Sequence, residues 1–175
     1  MSRFDELIRT VAHYQSLAGE NYTRVRGLAE ELREGLCAYI GSTDGVCVRL
    51  VPPMGAFEPK DYGDQAFSVP PAGFRPLGPI LFGLAFRVST GTDWMRVTIE
   101  CQKIGETFIA RIEGGEEYTL SIPLADHDPE PFYDHLYKHV LVWFETQITR
   151  YEAGDYGQRE IGFDFSRNTD NDAMS

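Results

Sequence analysis

The sequence predicts an α+β fold: N-terminal helices, an antiparallel β-meander of five or six strands, and a long C-terminal helix packed on the sheet. Three observations predict it. Apolar residues recur three and four apart in the first 40 residues and again across 132–151, the spacing of an amphipathic helix. Between residues 79 and 122 they alternate with a period of two, the spacing of a half-buried strand. The alternating runs are separated by turns too short for a crossover, so neighbouring strands must be antiparallel.

Taken in order, Phe4, Leu7, Ile8, Val11 and Ala18 form the first helical run. Gly19-Glu20-Asn21 interrupts it, and Val25, Leu28, Ala29, Leu32, Leu36, Tyr39 and Ile40 continue it. This is either two packed helices or one long helix kinked at Gly19. Asn21 or Thr23 could cap the second part, and Gly41 could end it in the left-handed conformation. Residues 46–51 alternate as a strand, which Pro52-Pro53 stops because proline cannot donate to a ladder.

Residues 52–78 are rich in proline and glycine and carry Phe57, Tyr62, Phe67 and Phe74. A loop of this length is functional or hides a short element, here a possible edge strand at 66–69. The four aromatics either line a pocket or interface, or close one edge of the core as a satellite cluster. Strand-like runs follow at 79–88, 94–102, 107–113 and 118–122. In the second of these Met95, Val97, Ile99 and Cys101 face inward, and Arg96, Thr98 and Glu100 face outward. The run at 79–88 is apolar on both faces, as expected of a central strand covered on both sides.

Asp128 is a good N-cap for the final helix, with Pro129 in its first turn and Gly154 at its end. The single α+β domain is expected over residues 1–154. Residues 155–175 form a partly mobile tail, whose apolar run Ile161-Gly162-Phe163-Asp164-Phe165 could add an edge strand or meet a partner.

At 175 residues and 42% hydrophobic, the chain can bury a core without a metal or disulfide staple. Cys37, Cys47 and Cys101 are odd in number and show no CxxC. They read as small buried apolar residues in a reducing, cytoplasmic compartment and not as a secreted disulfide framework. Two acids in the first six residues argue against a signal peptide, and no run of about 18 apolar residues suggests a membrane span. Arginine outnumbers lysine 13 to 3, the mark of a GC-rich, bacterial type of genome.

The formal charge of −11 is lopsided. Residues 1–102 hold 10 basic and 12 acidic side chains, a net of −2, and residues 103–175 hold 6 and 15, a net of −9. With no basic stripe to displace counterions, direct nucleic-acid binding is not expected. The acidity serves solubility or a protein partner with a basic surface.

No catalytic signature stands out. GxSxG, GxGxxG and GxxxxGK[ST] are all missing, and no cofactor is implied. His135 and His139 stand four apart on the final helix, within reach of one metal together with Asp126, His127 and Asp128. The glutamate of HExxH is missing, however, and Lys138 would repel a cation, so boundary histidines are the simpler account. Glu116 and Glu117 are paired carboxylates at a hairpin turn, where acids are ordinarily solvated.

The first expectation is therefore a non-catalytic interaction module of inhibitor, immunity, chaperone or adaptor type. It would bind through acidic residues such as Glu116, Glu117, Asp126 and Asp128 and the aromatics of 52–78. An alternative is a small-molecule or metal-binding protein, even an enzyme, with a cavity between the final helix and the sheet edged by Tyr118, Tyr133, Tyr137, His135 and His139. A further alternative is an acidic mimic of nucleic acid. A homodimer is compatible with the long apolar helices.

Overall fold

In a computed structural model the chain is described over residues 1–41, 45–70, 72–113, 115–121, 124 and 129–155, with the backbone of 164–167. One helix, α1 (Arg3–Ile40), opens it. This is a single continuous element and not a pair. Gly19 does not break it: a helical glycine costs only about 1 kcal/mol, and a Cβ there would meet nothing closer than Arg75 Nη1 at 3.7 Å. Asn21 and Thr23 are therefore not caps. The Asn21 amide donates to the Gly78 carbonyl (3.2 Å), and the Thr23 hydroxyl donates back to the Gly19 carbonyl (3.0 Å).

The cap that forms is Ser2. Its hydroxyl accepts from the Asp5 N–H while the Asp5 carboxylate accepts from the Ser2 N–H, a capping box. Gly41 closes the helix at φ 74, where glycine has no Cβ penalty.

The strands are β1 (Val48–Val51), β2 (Ile80–Arg87), β3 (Asp93–Ile104), β4 (Thr107–Ile112) and β5 (Glu117–Ser121), each antiparallel to the next. The helix α2 (Glu130–Glu152) follows, and β6 (Asp164–Arg167) returns to pair antiparallel with residues 93–96 of β3. The edge strand expected in the tail thus begins at Asp164. Helix α2 has Pro129 at its N-cap and no side-chain cap bond; Asp128 and Asp126 lie outside the described residues.

Register places Ile80, Phe82, Leu84 and Phe86 beside Cys101, Ile99, Val97 and Met95 on one face. That face joins Val25, Ala29, Leu32 and Leu36 of α1 in the main core, and Phe132, Tyr133 and Leu136 of α2 belong to the same buried cluster.

The opposite face is covered as well. Residues 52–57 cross it as a strap, and Phe57 packs into a second cluster with Val51, Ala85 and Trp94. Arg96 and Thr98, which alternation points to the solvent side, are only 3% and 7% exposed. The Arg96 guanidinium donates to the Pro52 carbonyl (3.0 Å) and stands 4.8 Å from the Phe57 ring; the Thr98 hydroxyl donates to the Pro53 carbonyl (2.9 Å). The strap supplies the acceptors that make burial of these polar groups tolerable.

Instead of an edge strand at 66–69, a turn of 3-10 helix (Gly63–Ala66) leads to a single bridge between Phe67 and Phe82. Asp64 in that turn accepts from both Tyr22 and Arg26 of α1, which fixes the loop to the helix.

The cysteine expectation needs correction. Cys37 and Cys47 form a disulfide with Cα atoms 5.6 Å apart, and only Cys101 is a buried free thiol. The end of α1 and the entry to β1 converge in space, which the ten-residue separation in sequence does not reveal.

Candidate functional site

The chemical candidates come first. His135 and His139 do lie ring over ring, with centroids 5.9 Å apart, and His135 also meets Tyr118 at 5.4 Å. Among the described residues, no three His, Cys, Asp or Glu side chains are grouped to hold a metal ion. Burial pushes the Cys101 thiol up to about 12, far from the thiolate a nucleophile needs. Glu117 pairs with Arg111 across the β4–β5 hairpin, and Glu116 accepts weakly from the Tyr118 hydroxyl (3.5 Å). Both carboxylates are exposed and lie outside any apolar enclosure that would raise one for acid catalysis.

The aromatics of residues 52–78 are not brought together. Phe57 belongs to the cluster under the strap and Phe67 to the main core, on opposite faces of the sheet. Tyr62 touches both clusters, and its hydroxyl accepts from the Glu58 N–H (2.9 Å). Phe74 is exposed and stacks on Tyr14 of α1 at 5.5 Å. The four are thus spread over two faces of the sheet and an exposed contact with α1.

A cleft does exist beside α2. It encloses about 190 Å³ where the end of α1, the end of β2 and α2 meet. Leu36, Phe86, Val88, Leu136, Val140 and Phe144 form its apolar floor and walls, and Arg87 sits at one side. Ile40, Tyr137 and Leu141 form the rim and are 39%, 47% and 44% exposed. Of the five polar candidates for this region, only Tyr137 lines the cleft.

Tyr133 faces the other way, into a polar recess with Glu31 and Glu130. Burial first, and the nearby Glu31 carboxylate second, push its hydroxyl up to about 12. Asp134 pairs with Lys138 (2.8 Å) and accepts a hydrogen bond from the Tyr39 hydroxyl (3.0 Å); these bonds hold its carboxyl below the ordinary carboxylate range.

A second apolar surface lies at the far end of α1. Residues 3–13 are all exposed, and Phe4, Leu7, Ile8 and Val11 present 66%, 59%, 51% and 37% of their surfaces. Periodicity marks these positions as one helical stripe. It does not reveal that the domain leaves them uncovered.

Compared with known proteins, the chain matches no family model, no curated protein and no solved structure.

Proposed function

We propose that this chain is a non-catalytic protein-interaction module, of inhibitor, immunity, chaperone or adaptor type, whose docking site is the cleft beside α2. The observation that carries the reading is an apolar cleft with a half-exposed apolar rim, Ile40, Tyr137 and Leu141, on an otherwise strongly acidic chain. In this reading α2 lies across the sheet, anchored by Phe132, Tyr133 and Leu136, and offers its outer half to the partner.

Such a rim is where an interface gains energy, because an apolar anchor inserted from a partner is fully desolvated there. Beyond the Asp134–Lys138 pair, Glu130, Glu145 and Glu152 on α2 outweigh Arg150 and would steer a basic partner surface towards it. A small-molecule site fits less well, since about 190 Å³ is below the roughly 300 Å³ at which ligand pockets begin. The nucleic-acid mimic fits less well too, because Glu117 and Asp134 are already engaged by Arg111, Lys138 and Tyr39. A cytoplasmic location is not part of the proposal, since a bonded Cys37–Cys47 pair suits an oxidising compartment.

The test is quantitative affinity capture with the wild type and Leu141→Asp as paired baits, in low and high salt. A protein retained by the wild type, weakened at least tenfold by Leu141→Asp and released as salt rises, is the expected result. Identical capture by both baits would refute the cleft as the docking site.

A further inference from the structure

We propose that residues 4–11 of α1 form a self-complementary seam that pairs antiparallel with the same segment of a second copy. This inference does not depend on the partner assigned to the cleft, which lies at the other end of the helix.

The stripe on α1 is continuous. Positions 4, 7, 11, 14, 18, 21, 25, 28 and 32 follow one another at alternating steps of three and four, the spacing of a helix seam. From Ala18 onward this stripe is buried, with Asn21, Val25, Leu28 and Leu32. At Tyr14 the domain ends: its ring stacks on Phe74, and its hydroxyl accepts from the Leu77 N–H (2.7 Å). Ahead of Tyr14, Phe4, Leu7, Ile8 and Val11 continue the same face into solvent. Four apolar side chains held in water along one face carry a cost that a covering surface would remove.

Four features favour a second copy as that surface. The spacing 4, 7, 8, 11 reads the same in both directions. An antiparallel pair centred between residues 7 and 8 therefore sets Phe4 against Val11 and Leu7 against Ile8, each contact made twice, as a two-fold interface requires. The segment is also charge-balanced, with Arg3 and Arg9 against Asp5 and Glu6, although the whole chain carries −11. Two copies can thus approach here without the repulsion that opposes contact elsewhere, and the same register sets Arg9 of one copy at the height of Glu6 of the other.

Third, the direction is constrained. The seam is collinear with a stripe that faces the sheet, so a parallel second helix would run on into the core; an antiparallel one leads away from it. Fourth, the area comes close to what a specific interface needs. Covering the four side chains removes roughly 400 Å² of surface per copy, and with flanking atoms the two copies approach the roughly 1,000 Å² at which specific interfaces begin.

Sedimentation of the full chain from about 1 to 200 µM tests this, since an interface at that size threshold is held at micromolar affinity. The wild type should shift from its 19.8 kDa monomer to twice that mass. Leu7→Asp with Val11→Asp should stay monomeric, and at concentrations where the wild type is monomeric its thermal midpoint should match, because both positions are exposed there. Ile148→Asp, on the exposed part of α2, should dimerise as the wild type does. Spin labels at Glu20→Cys should lie about 40 Å apart in the antiparallel pair, from 1.5 Å of rise per residue, against less than about 20 Å in a parallel one. A wild type that remains monomeric throughout overturns the proposal, and vesicle binding lost in the double variant would then assign the seam to lipid. A dimer that survives the double variant, or a short label distance, overturns it equally.

Discussion

Replacing Gly83 by alanine tests the two-sided sheet most directly. Gly83 lies mid-way along β2, opposite Val51 and Thr98, on the face that the strap covers. A Cβ built there would sit 2.8 Å from the Val51 carbonyl oxygen, 2.9 Å from that of Pro52 and 3.0 Å from Arg96 Cδ. The first two are backbone atoms and cannot rotate aside, so the strap must lift. The Pro52 carbonyl is also the acceptor for the buried Arg96 guanidinium, so lifting the strap weakens that bond. Overpacking costs about 1–3 kcal/mol. Weakening a hydrogen bond to a charged group costs about 1.5–3 kcal/mol. The lower backbone entropy of alanine in the unfolded chain returns about 0.4–1 kcal/mol. The net loss is about 3 kcal/mol, which for a chain of this size lowers the thermal midpoint by about 6–12 °C. Urea unfolding gives the free energy. The emission of Trp94, buried under the same strap, gives the local event as a red shift in the folded state. Gly27→Ala is the control: on the exposed side of α1, where a Cβ meets nothing within 4 Å, it should gain about 0.5–1 kcal/mol. A Gly83→Ala protein within about 0.5 kcal/mol of the wild type would refute the close approach of strap and strand.

Three further outcomes follow from the same geometry. Reducing the Cys37–Cys47 bond releases a loop whose ends are ten residues apart, so urea unfolding with and without reductant should differ by about 2.5 kcal/mol, and coincident curves would contradict the bond. The Asp64 carboxyl is held below its ordinary value of 3.8 chiefly by the Tyr22 hydroxyl and then by Arg26. A depressed carboxyl contributes its stability above the unfolded value and loses it as pH falls through the folded one. Unfolding midpoints should therefore fall below about pH 4, less steeply in Asp64→Asn, and equal slopes would remove Asp64 from the account. Gly35→Ala sits on α1 like Gly27→Ala but should have the opposite sign, because its Cβ would collide with the hydroxyl of the buried Tyr133. A loss of about 1–2 kcal/mol is expected from overpacking, and a gain would show that α1 and α2 are not in contact there.

The meander was legible because its signals are local. A period of two with short turns specifies antiparallel neighbours, and the ladder from Ile80 to Ser121 runs as that pattern requires. Burial of Arg96 and Thr98 was not legible, since alternation assigns a residue to a face without saying what covers the face. The covering strap is proline-rich and has no period of its own. The disulfide was hidden for a related reason: Cys37 lies in the last turn of a helix and Cys47 precedes a strand, and no local pattern says that the two ends meet. Gly19 misled because a glycine penalty near 1 kcal/mol is small beside the backbone bonds of 38 residues in one helix. Of the residues singled out for function, Tyr137 borders the cleft, while Phe57 and Phe67 are packing residues on opposite faces of the sheet.

The same limit of periodicity bears on α1 as a whole. Amphipathic spacing says that one side of a helix avoids water, and it says so equally at Val11 and at Val25. Val25 meets the domain's own core; Val11 meets solvent. What separates them is the length of the helix against the width of the sheet. At 1.5 Å per residue, the segment ahead of Tyr14 extends about 15 Å beyond the last contact with the loop at Phe74 and Leu77. A stripe that outruns its own domain without changing character obeys one rule along its whole length, that of a face to be covered. Whatever covers residues 4–11 must therefore approach from the side on which the sheet lies and stop where Tyr14, Phe74 and Leu77 stand. That leaves a lateral strip in line with the buried face and open only beyond Tyr14, a geometry suited to another helix lying alongside in the opposite sense.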